Sequence, residues 1–285
     1  MTKTWFITGA NRGLGLGITR AVLDAGHRVV AAARKPEQIT KALSGSGYGD
    51  RLLAVRLDVT KPEEAEAAVA LAKQTFGGID VLVNNAGYGQ LGWFENTSDE
   101  QIRNQFETNV FGAMHVTRAV LPLMRERRSG HVFTVSSVAG IYAVAGSSTY
   151  SASKFAVEGW MEGLADEVSP LGIAATIIEP GFFKTDFLDP SSVTYGAHDI
   201  ADYAEQVRQF TEWHHNMNHK QVGDPTKLGS VLIQLNEMKQ PPVRFAAGSD
   251  ASGVVLKKAE SIRADADRLK DLSASTDGTR ETAAA

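Results

Sequence analysis

Tyr150-Ser151-Ala152-Ser153-Lys154 places a phenol and an ammonium four residues apart, on one face of a helix. A lysine cation beside a phenol stabilises the phenolate and lowers a pKa otherwise near ~10, so the tyrosine can exchange a proton with an alcohol or carbonyl oxygen near neutral pH. The spacing alone does not prove this, because a Tyr packed at a helix start with a solvated Lys has the same pattern. Two further polar residues stand near it in the chain. Ser137 follows the strand-like run His131-Val132-Phe133-Thr134-Val135, and Asn109 falls in the middle of a helical stretch. Asn is a poor helix-interior residue, so a polar task such as holding a water is expected of it.

The elements that must position these groups alternate between β and α patterns. Trp5-Phe6-Ile7-Thr8 is a short strand that ends in Gly9-Ala10-Asn11-Arg12-Gly13-Leu14-Gly15-Leu16-Gly17, and Ile18, Ala21, Val22 and Ala25 then recur with helical spacing. A glycine turn between strand and helix lets the backbone approach a pyrophosphate, with N–H donors and a positive dipole at the helix start. The second strand, residues 28–33, ends at Arg34-Lys35, where a NAD-selective site would carry a carboxylate for the ribose hydroxyls. Arg34, with Arg12 in the glycine turn, suits a 2′-phosphate instead, so NADP is expected over NAD.

Residues 52–57 form a third strand, followed by Asp58-Val59, where Asp58 is a candidate acceptor for the adenine amino group. Thr60 is a plausible cap for a helix that starts at Pro62. The fourth strand, 79–83, runs into Asn84-Asn85-Ala86-Gly87, whose amides can bridge strand ends. Helical patterning follows over 98–128, with an interruption expected near Pro122, and again from about Tyr150 to 171. A sixth strand over 173–178 stops at Pro180-Gly181. The polar candidates thus collect at strand ends, which in an open parallel sheet is the ligand crevice.

The chain has 285 residues, ordinary hydrophobic content and no internal repeat, which fits a single α/β domain. The net charge of −4, with basic residues scattered, offers no footprint for nucleic acid, and the absence of cysteine excludes disulfides, iron–sulfur clusters and thiolate zinc sites. No apolar run is long enough to cross a bilayer, and Met1-Thr2-Lys3-Thr4 leads directly into a strand, so no membrane association and a cytoplasmic location are expected. Ile200, Tyr203, Val207, Phe210 and Met217 form one helical stripe, read either as a substrate lid or as a helix packed on the core. His214, His215 and His219 include an i, i+4 pair, but no carboxylate or third ligand completes a metal site, and none is expected. Asp224 is a candidate cap for a helix over 226–236. Residues 241–248 read as a last strand, 251–272 as an amphipathic helix, and 273–285 as a mobile polar tail.

Taken in order, Thr8-Gly9-x-x-x-Gly13-x-Gly15, Asn84-Asn85-Ala86-Gly87, Ser137, Tyr150-x-x-x-Lys154 and Pro180-Gly181 with Thr185 resemble the short-chain dehydrogenase/reductase family over nearly the whole chain. The length is similar to that of its longer bacterial oxidoreductases, whose relatives include hydroxysteroid and retinol dehydrogenases. The resemblance implies a doubly wound Rossmann sheet of seven parallel strands in one domain, residues 1–272, with a lid over about 186–221. It also implies hydride transfer between a nicotinamide cofactor and a carbonyl carbon. Tyr150 is then the general acid/base, Ser137 the group that orients the substrate oxygen, Lys154 a ribose ligand that lowers the Tyr150 pKa, and Asn109 the holder of a water beside Lys154.

Cofactor contacts are expected from Gly9, Asn11, Arg12, Gly13, Leu14 and Gly15, then Arg34, Asp58 and Val59, then Asn85, Ala86 and Gly87. Others come from Tyr150 and Lys154, and from Pro180, Gly181, Phe183 and Thr185. Phe183 replaces an aliphatic residue common in the family, which puts the width of the nicotinamide pocket in question. Substrate contacts are expected from Ser137, Tyr88, Tyr142, Phe182 and Phe187, with Trp93 and Val144 extending the apolar wall. A homodimer or homotetramer would form through the helices at 98–128 and 149–171. The expected activity is NADP(H)-dependent exchange between an apolar ketone and a secondary alcohol. The alternatives are an NADP-binding sensor without turnover, or an epimerisation or dehydration on the same scaffold.

Overall fold

The computed structural model describes residues 2–190 and 192–278. Seven parallel strands form its centre: β1 (Thr4–Thr8), β2 (Arg28–Ala33), β3 (Leu52–Arg56), β4 (Val81–Asn84), β6 (Gly130–Val135), β7 (Ile173–Pro180) and β9 (Arg244–Ala247). Their order is β3-β2-β1-β4-β6-β7-β9, so the direction of winding reverses between β1 and β4. Both faces of the sheet are covered, which is why these strands read as continuous apolar runs. Along β1, Trp5 and Ile7 point to one face and Phe6 to the other; Val29, Ala31 and Val30 divide the same way in β2, as do Val81, Val83 and Leu82 in β4.

The Trp5 face is covered by α1 (Gly13–Asp24), α2 (Pro36–Ala42) and α8 (Pro225–Glu237), and the Phe6 face by α3 (Pro62–Phe76), α5 (Gly112–Arg127) and α6 (Ser148–Val168). Helices α1 and α8 pack so closely that a Cβ on Gly17 would stand 2.6 Å from the Pro225 ring. Asp224 caps α8 through the Thr226 N–H, 2.9 Å, as the sequence suggested.

Several boundaries differ from the sequence reading. Pro122 lies inside α5 without ending it; Val116, Val120 and Met124 are buried on either side, and this packing carries the helix across the missing N–H. The irregularity in this region is instead a π-helical turn, Glu107–Phe111, between α4 (Asp99–Phe106) and α5, and it contains Asn109. Thr60 does not cap α3: its N–H and hydroxyl both donate to Asp58 Oδ1, a local turn that competes with capping, and Lys61 takes the cap position.

A second, two-stranded parallel sheet was not foreseen. It joins β5 (Gly89–Leu91) to β8 (Val193–Tyr195), and Thr194 Oγ1 donates to Gln90 Oε1 across it at 2.6 Å. Beyond β8 lies α7 (Ala204–Met217). After β9, α9 (Ser249–Arg268) and α10 (Lys270–Ala274) continue past the expected end of the last helix, and Ser273 and Ala274 are helical. The rest of the expected tail is described only to Gly278; 279–285 lie outside the described residues. No helix among the described residues is long and apolar enough to cross a membrane.

Candidate active site

All the strand ends that carry polar candidates open on one edge of the sheet. Gly9 follows β1, Arg34 follows β2, Asn85 follows β4, Ser137 follows β6 and Gly181 follows β7. The gap between β1 and β4, where winding reverses, is the place for a ligand in such a sheet.

On the β1 side the site is built from backbone. Gly9 and Gly13 have φ of +64° and +52°, which glycine adopts without strain. A Cβ on Gly15 would overlap the Gly9 carbonyl and the Asn85 amide. Asn85 Nδ2 donates to the Thr8 and Gly9 carbonyls at 2.9 and 3.3 Å, while Thr8 Oγ1 accepts from the N–H groups of Asn85 and Ala86 at 2.9 and 3.0 Å. These bonds lock the glycine turn to the end of β4. The start of α1 has Arg12 at its cap position, and among the described residues no side chain caps it and no carboxylate sits in its first turn. Uncapped N–H groups behind a glycine turn fit the pyrophosphate of a dinucleotide. Gly13 and Leu14 open that helix, Asn11 Nδ2 donates to Gln38 Oε1 at 2.8 Å, and Thr185 Cβ would lie 3.5 Å from a Cβ on Gly13. Arg34 is exposed at the end of β2. Asp58 uses Oδ1 on the Thr60 turn, and Val59 packs against Gly112.

On the other side the site is built from side chains. Tyr150 is 8% exposed, and burial pushes its phenol up to about 12, opposed by a hydrogen bond with Ser137. Lys154 Nζ donates to the Val135 carbonyl at 2.9 Å and lies 5.8 Å from the centre of the Tyr150 ring. Burial brings the Lys154 ammonium down to about 8, opposed by Glu158. Desolvation outweighs the Ser137 interaction that favours the phenolate.

Asn109 is buried in its π-turn, where Oδ1 accepts from Tyr88 N–H at 3.1 Å and Nδ2 donates to Tyr88 C=O at 3.0 Å. Its side chain therefore clamps the segment after Gly87.

The segment after β7 packs over Tyr150. Its two ends are joined where Phe183 pairs with Gly223: Lys184 N–H donates to Gly223 C=O at 2.8 Å, and Gly223 N–H donates to Phe182 C=O at 3.0 Å. The Phe183 ring lies against Gly223 and packs into the core on the α1/α8 face, so the expected narrowing of the nicotinamide pocket does not follow from this side chain. Asp250 accepts from Phe182 N–H at 2.8 Å and fixes the turn after Pro180-Gly181.

Above Tyr150 stand Leu91, Leu188 and Val193, with Phe187, Tyr195, Phe210 and Met217 packed against them. Phe187 is 5.7 Å from the Tyr150 ring, and Phe210 presses on Gly146. Tyr88 is half-buried, whereas Tyr142 and Phe182 are at the rim, the latter edge-on to Trp213 at 5.9 Å. Leu91, Val193 and Tyr195 were missed from sequence, because only the β5–β8 pairing brings those distant segments to the site.

The three histidines do not converge. His214 Nδ1 pairs with the Phe210 carbonyl, His215 lies against Tyr195, and His219 meets Asp189 at 3.2 Å.

This architecture is that of the short-chain dehydrogenases, whose family model matches residues 3–195. The chain belongs to that family. It is 38% identical over 273 residues to the oxidoreductase BOA17 of Botryotinia fuckeliana, with 96% of this chain and 98% of the relative covered. A 3-ketodihydrosphingosine reductase of Bacteroides thetaiotaomicron is 36% identical over 247 residues, covering 85% and 86%. Among solved structures, a short-chain dehydrogenase from Streptomyces avermitilis superposes with a TM-score of 0.89 at 38% identity, covering 98% of this chain and 100% of that one. A family member from Burkholderia phymatum in complex with NAD shares the fold, with a TM-score of 0.80 at 21% identity and coverage of 93% and 95%.

Proposed function

We propose that the protein is an NADP(H)-dependent oxidoreductase that interconverts apolar ketones and secondary alcohols, with Tyr150 as general acid/base. The observation that carries this reading is a buried phenol beside Ser137, one helical turn from Lys154 and roofed by apolar residues of the segment after β7. The nicotinamide, when bound, supplies or takes up hydride at the carbonyl carbon. Ser137 orients the substrate oxygen; Tyr150 Oη delivers a proton to it in reduction and takes one from the alcohol in oxidation. A phenol held up near about 12 is neutral at pH 7 and ready to donate. Lys154 holds the nicotinamide ribose, and Asn109 keeps Tyr88 at the pocket wall.

Leucine, valine and aromatic side chains over Tyr150 favour an apolar substrate. The Bacteroides relative, by name a reductase of a ketone, agrees with that direction. For the cofactor, Arg34 stands where a ribose-binding carboxylate would select NAD, and with Arg12 it faces the charge of a 2′-phosphate. The turn after β7, with Gly181, Phe183 and Thr185, supports the nicotinamide end. We further propose a cytoplasmic homodimer or homotetramer through α4, α5 and α6, where Phe111 of the π-turn between α4 and α5 and Phe155 of α6 are 45% and 44% exposed. Light scattering on the purified protein measures that state.

Absorbance at 340 nm with NADPH or NADH and a panel of ketones and alcohols tests the reading. NADPH consumption with apolar ketones is expected. Tight NADPH binding with no turnover on any of them would overturn the enzymatic assignment in favour of a sensor.

A further inference from the structure

Four residues on α6 follow one another at four-residue spacing: Tyr150, Lys154, Glu158 and Glu162. Such a spacing forms a continuous ridge along the helix. The first two belong to the proposed acid/base set, and the next two meet Arg244 of β9. Arg244 Nη1 is paired with Glu158 and lies 3.3 Å from Glu179 of β7, and its Nη2 is 2.7 Å from Glu162. The Glu158 and Glu179 side chains are only 5% and 2% exposed, whereas Glu162 is 63% exposed.

Charge balance gives this cluster a direction. One guanidinium faces three carboxylates, two of them buried, so Arg244 alone does not neutralise the group. Among the described residues the buried cation one turn along the same helix is Lys154, and Glu158 is the carboxylate that supports its charged form. Lys154 needs that support, since it is 7% exposed and its Nζ donates to a neutral carbonyl.

From the strand-end loop, Ser136 Oγ and Glu158 Oε1 both approach the space over Gly140. A Cβ there would stand 2.6 Å from the first and 3.0 Å from the second. Neither atom has an aligned hydrogen-bond partner among the described residues. The groups facing Glu158 are thus Lys154 and Glu162 on its own helix, Ser136 after β6, Glu179 on β7 and Arg244 on β9.

We propose that Glu158, held in place by Arg244, is a positioning residue that keeps the Lys154 ammonium charged inside the buried site. This rests on the assignment of Lys154 to the acid/base set. The role is electrostatic, because no bond is made or broken at Glu158. Burial pushes the Glu158 carboxyl up to about 7, so its charge changes within the range where Lys154, at about 8, begins to lose its own. The sign follows: as pH rises through the Glu158 midpoint a negative charge appears beside Lys154 and holds its proton, and at lower pH that support is withdrawn.

The test is an NMR titration of Lys154 in the full-length protein labelled with [ε-¹³C]lysine, the resonance assigned with Lys154→Arg. It needs no turnover, so it reads this coupling even if ketone reduction fails, and the two failures are distinguishable. In the parent protein the Lys154 resonance should record the Glu158 ionisation as a separate step. In Glu158→Gln, which keeps shape and removes charge, that step should vanish and the lysine midpoint should fall. Each unit of fall means about tenfold less charged lysine at alkaline pH. The alkaline limb of kcat/KM should move the same way, and Glu158→Asp should largely restore both. A parent titration without the separate step overturns the proposal whether or not Glu158→Gln folds; so does a folded Glu158→Gln with an unmoved lysine midpoint.

Discussion

The two sides of the crevice are made of different materials. On the β1–β2 side the ligand-facing surface is backbone: glycines with positive φ, an uncapped helix start, and amide side chains whose work is to hold main chain in place. Of its two charged candidates, Arg34 is exposed to water and Arg12 is partly buried. On the β6–α6 side the surface is side chain, and the ionisable groups Tyr150, Lys154 and Glu158 are all buried with their pKa values displaced towards the neutral form. A site of main chain fails when volume is added, because the backbone has nowhere to go. A site of desolvated side chains fails when a single polar atom is removed. The two halves should therefore respond oppositely to the same kinds of substitution.

The largest expected effect removes one oxygen from the side-chain half. Tyr150→Phe should lower kcat by about a thousandfold, the middle of the range for a positioned proton donor, and leave NADPH affinity within about twofold. Stopped-flow reduction and fluorescence titration of NADPH measure the two separately. Substantial residual turnover by the variant would remove Tyr150 from the acid role.

Adding one carbon to the backbone half comes next. In Gly15→Ala the new Cβ overlaps the Gly9 carbonyl and the Asn85 amide, and overpacking of this kind costs about 1–3 kcal/mol. If the strain falls on the glycine turn, dinucleotide affinity drops by up to about a hundredfold. The chemical step, measured at saturating cofactor, should change little. A large loss of kcat at saturation with affinity intact would erase the distinction between the two halves.

A charge change on the backbone half is smaller and selective. Bonds to charged groups contribute ~1.5–3 kcal/mol, so Arg34→Asp should shift the NADPH/NADH preference in kcat/KM by roughly tenfold to a hundredfold towards NADH. Added salt should weaken NADPH binding more than NADH binding in the parent protein. A parent that already prefers NADH, or a ratio unmoved by the substitution, makes Arg34 a solvated surface charge.

The sequence made the backbone half legible because its chemistry is encoded by glycine spacing between a strand and a helix, which is local information. The parallel sheet was equally readable from apolar runs at Val29–Ala33 and Val81–Val83 that leave no polar face. The side-chain half was legible only along single segments, such as Tyr150 to Lys154. Glu158 with Arg244, and Leu91 with Val193 and Tyr195, meet across long stretches of chain, and no periodicity announces such pairs. Pro122 was read as an interruption for a related reason. Tertiary packing on Val116, Val120 and Met124 carries α5 past the proline, while the π-turn at Asn109 has no composition signal of its own.

The smallest effect probes what keeps Tyr150 dry. Phe187 lies 5.7 Å from its ring and packs against it from the segment after β7. Truncation in Phe187→Ala removes apolar surface from the pocket wall and admits water to the phenol. If the ring touches substrate, losing about 1 kcal/mol of apolar contact should raise KM by roughly fivefold. The pH dependence has a definite sign. Desolvation holds the phenol up at about 12, so hydration must bring it down towards its ordinary value. Alcohol oxidation needs the phenolate to accept a proton, and its alkaline activation should begin at lower pH in the variant. Ketone reduction at pH 7 uses the neutral phenol, which predominates before and after the change, so its kcat should hardly move. Profiles of kcat/KM against pH in the two directions separate these outcomes. If KM and the oxidation profile both stay put, Phe187 packs on the lid alone, and the dryness of Tyr150 comes from Leu91, Leu188 and Val193 instead.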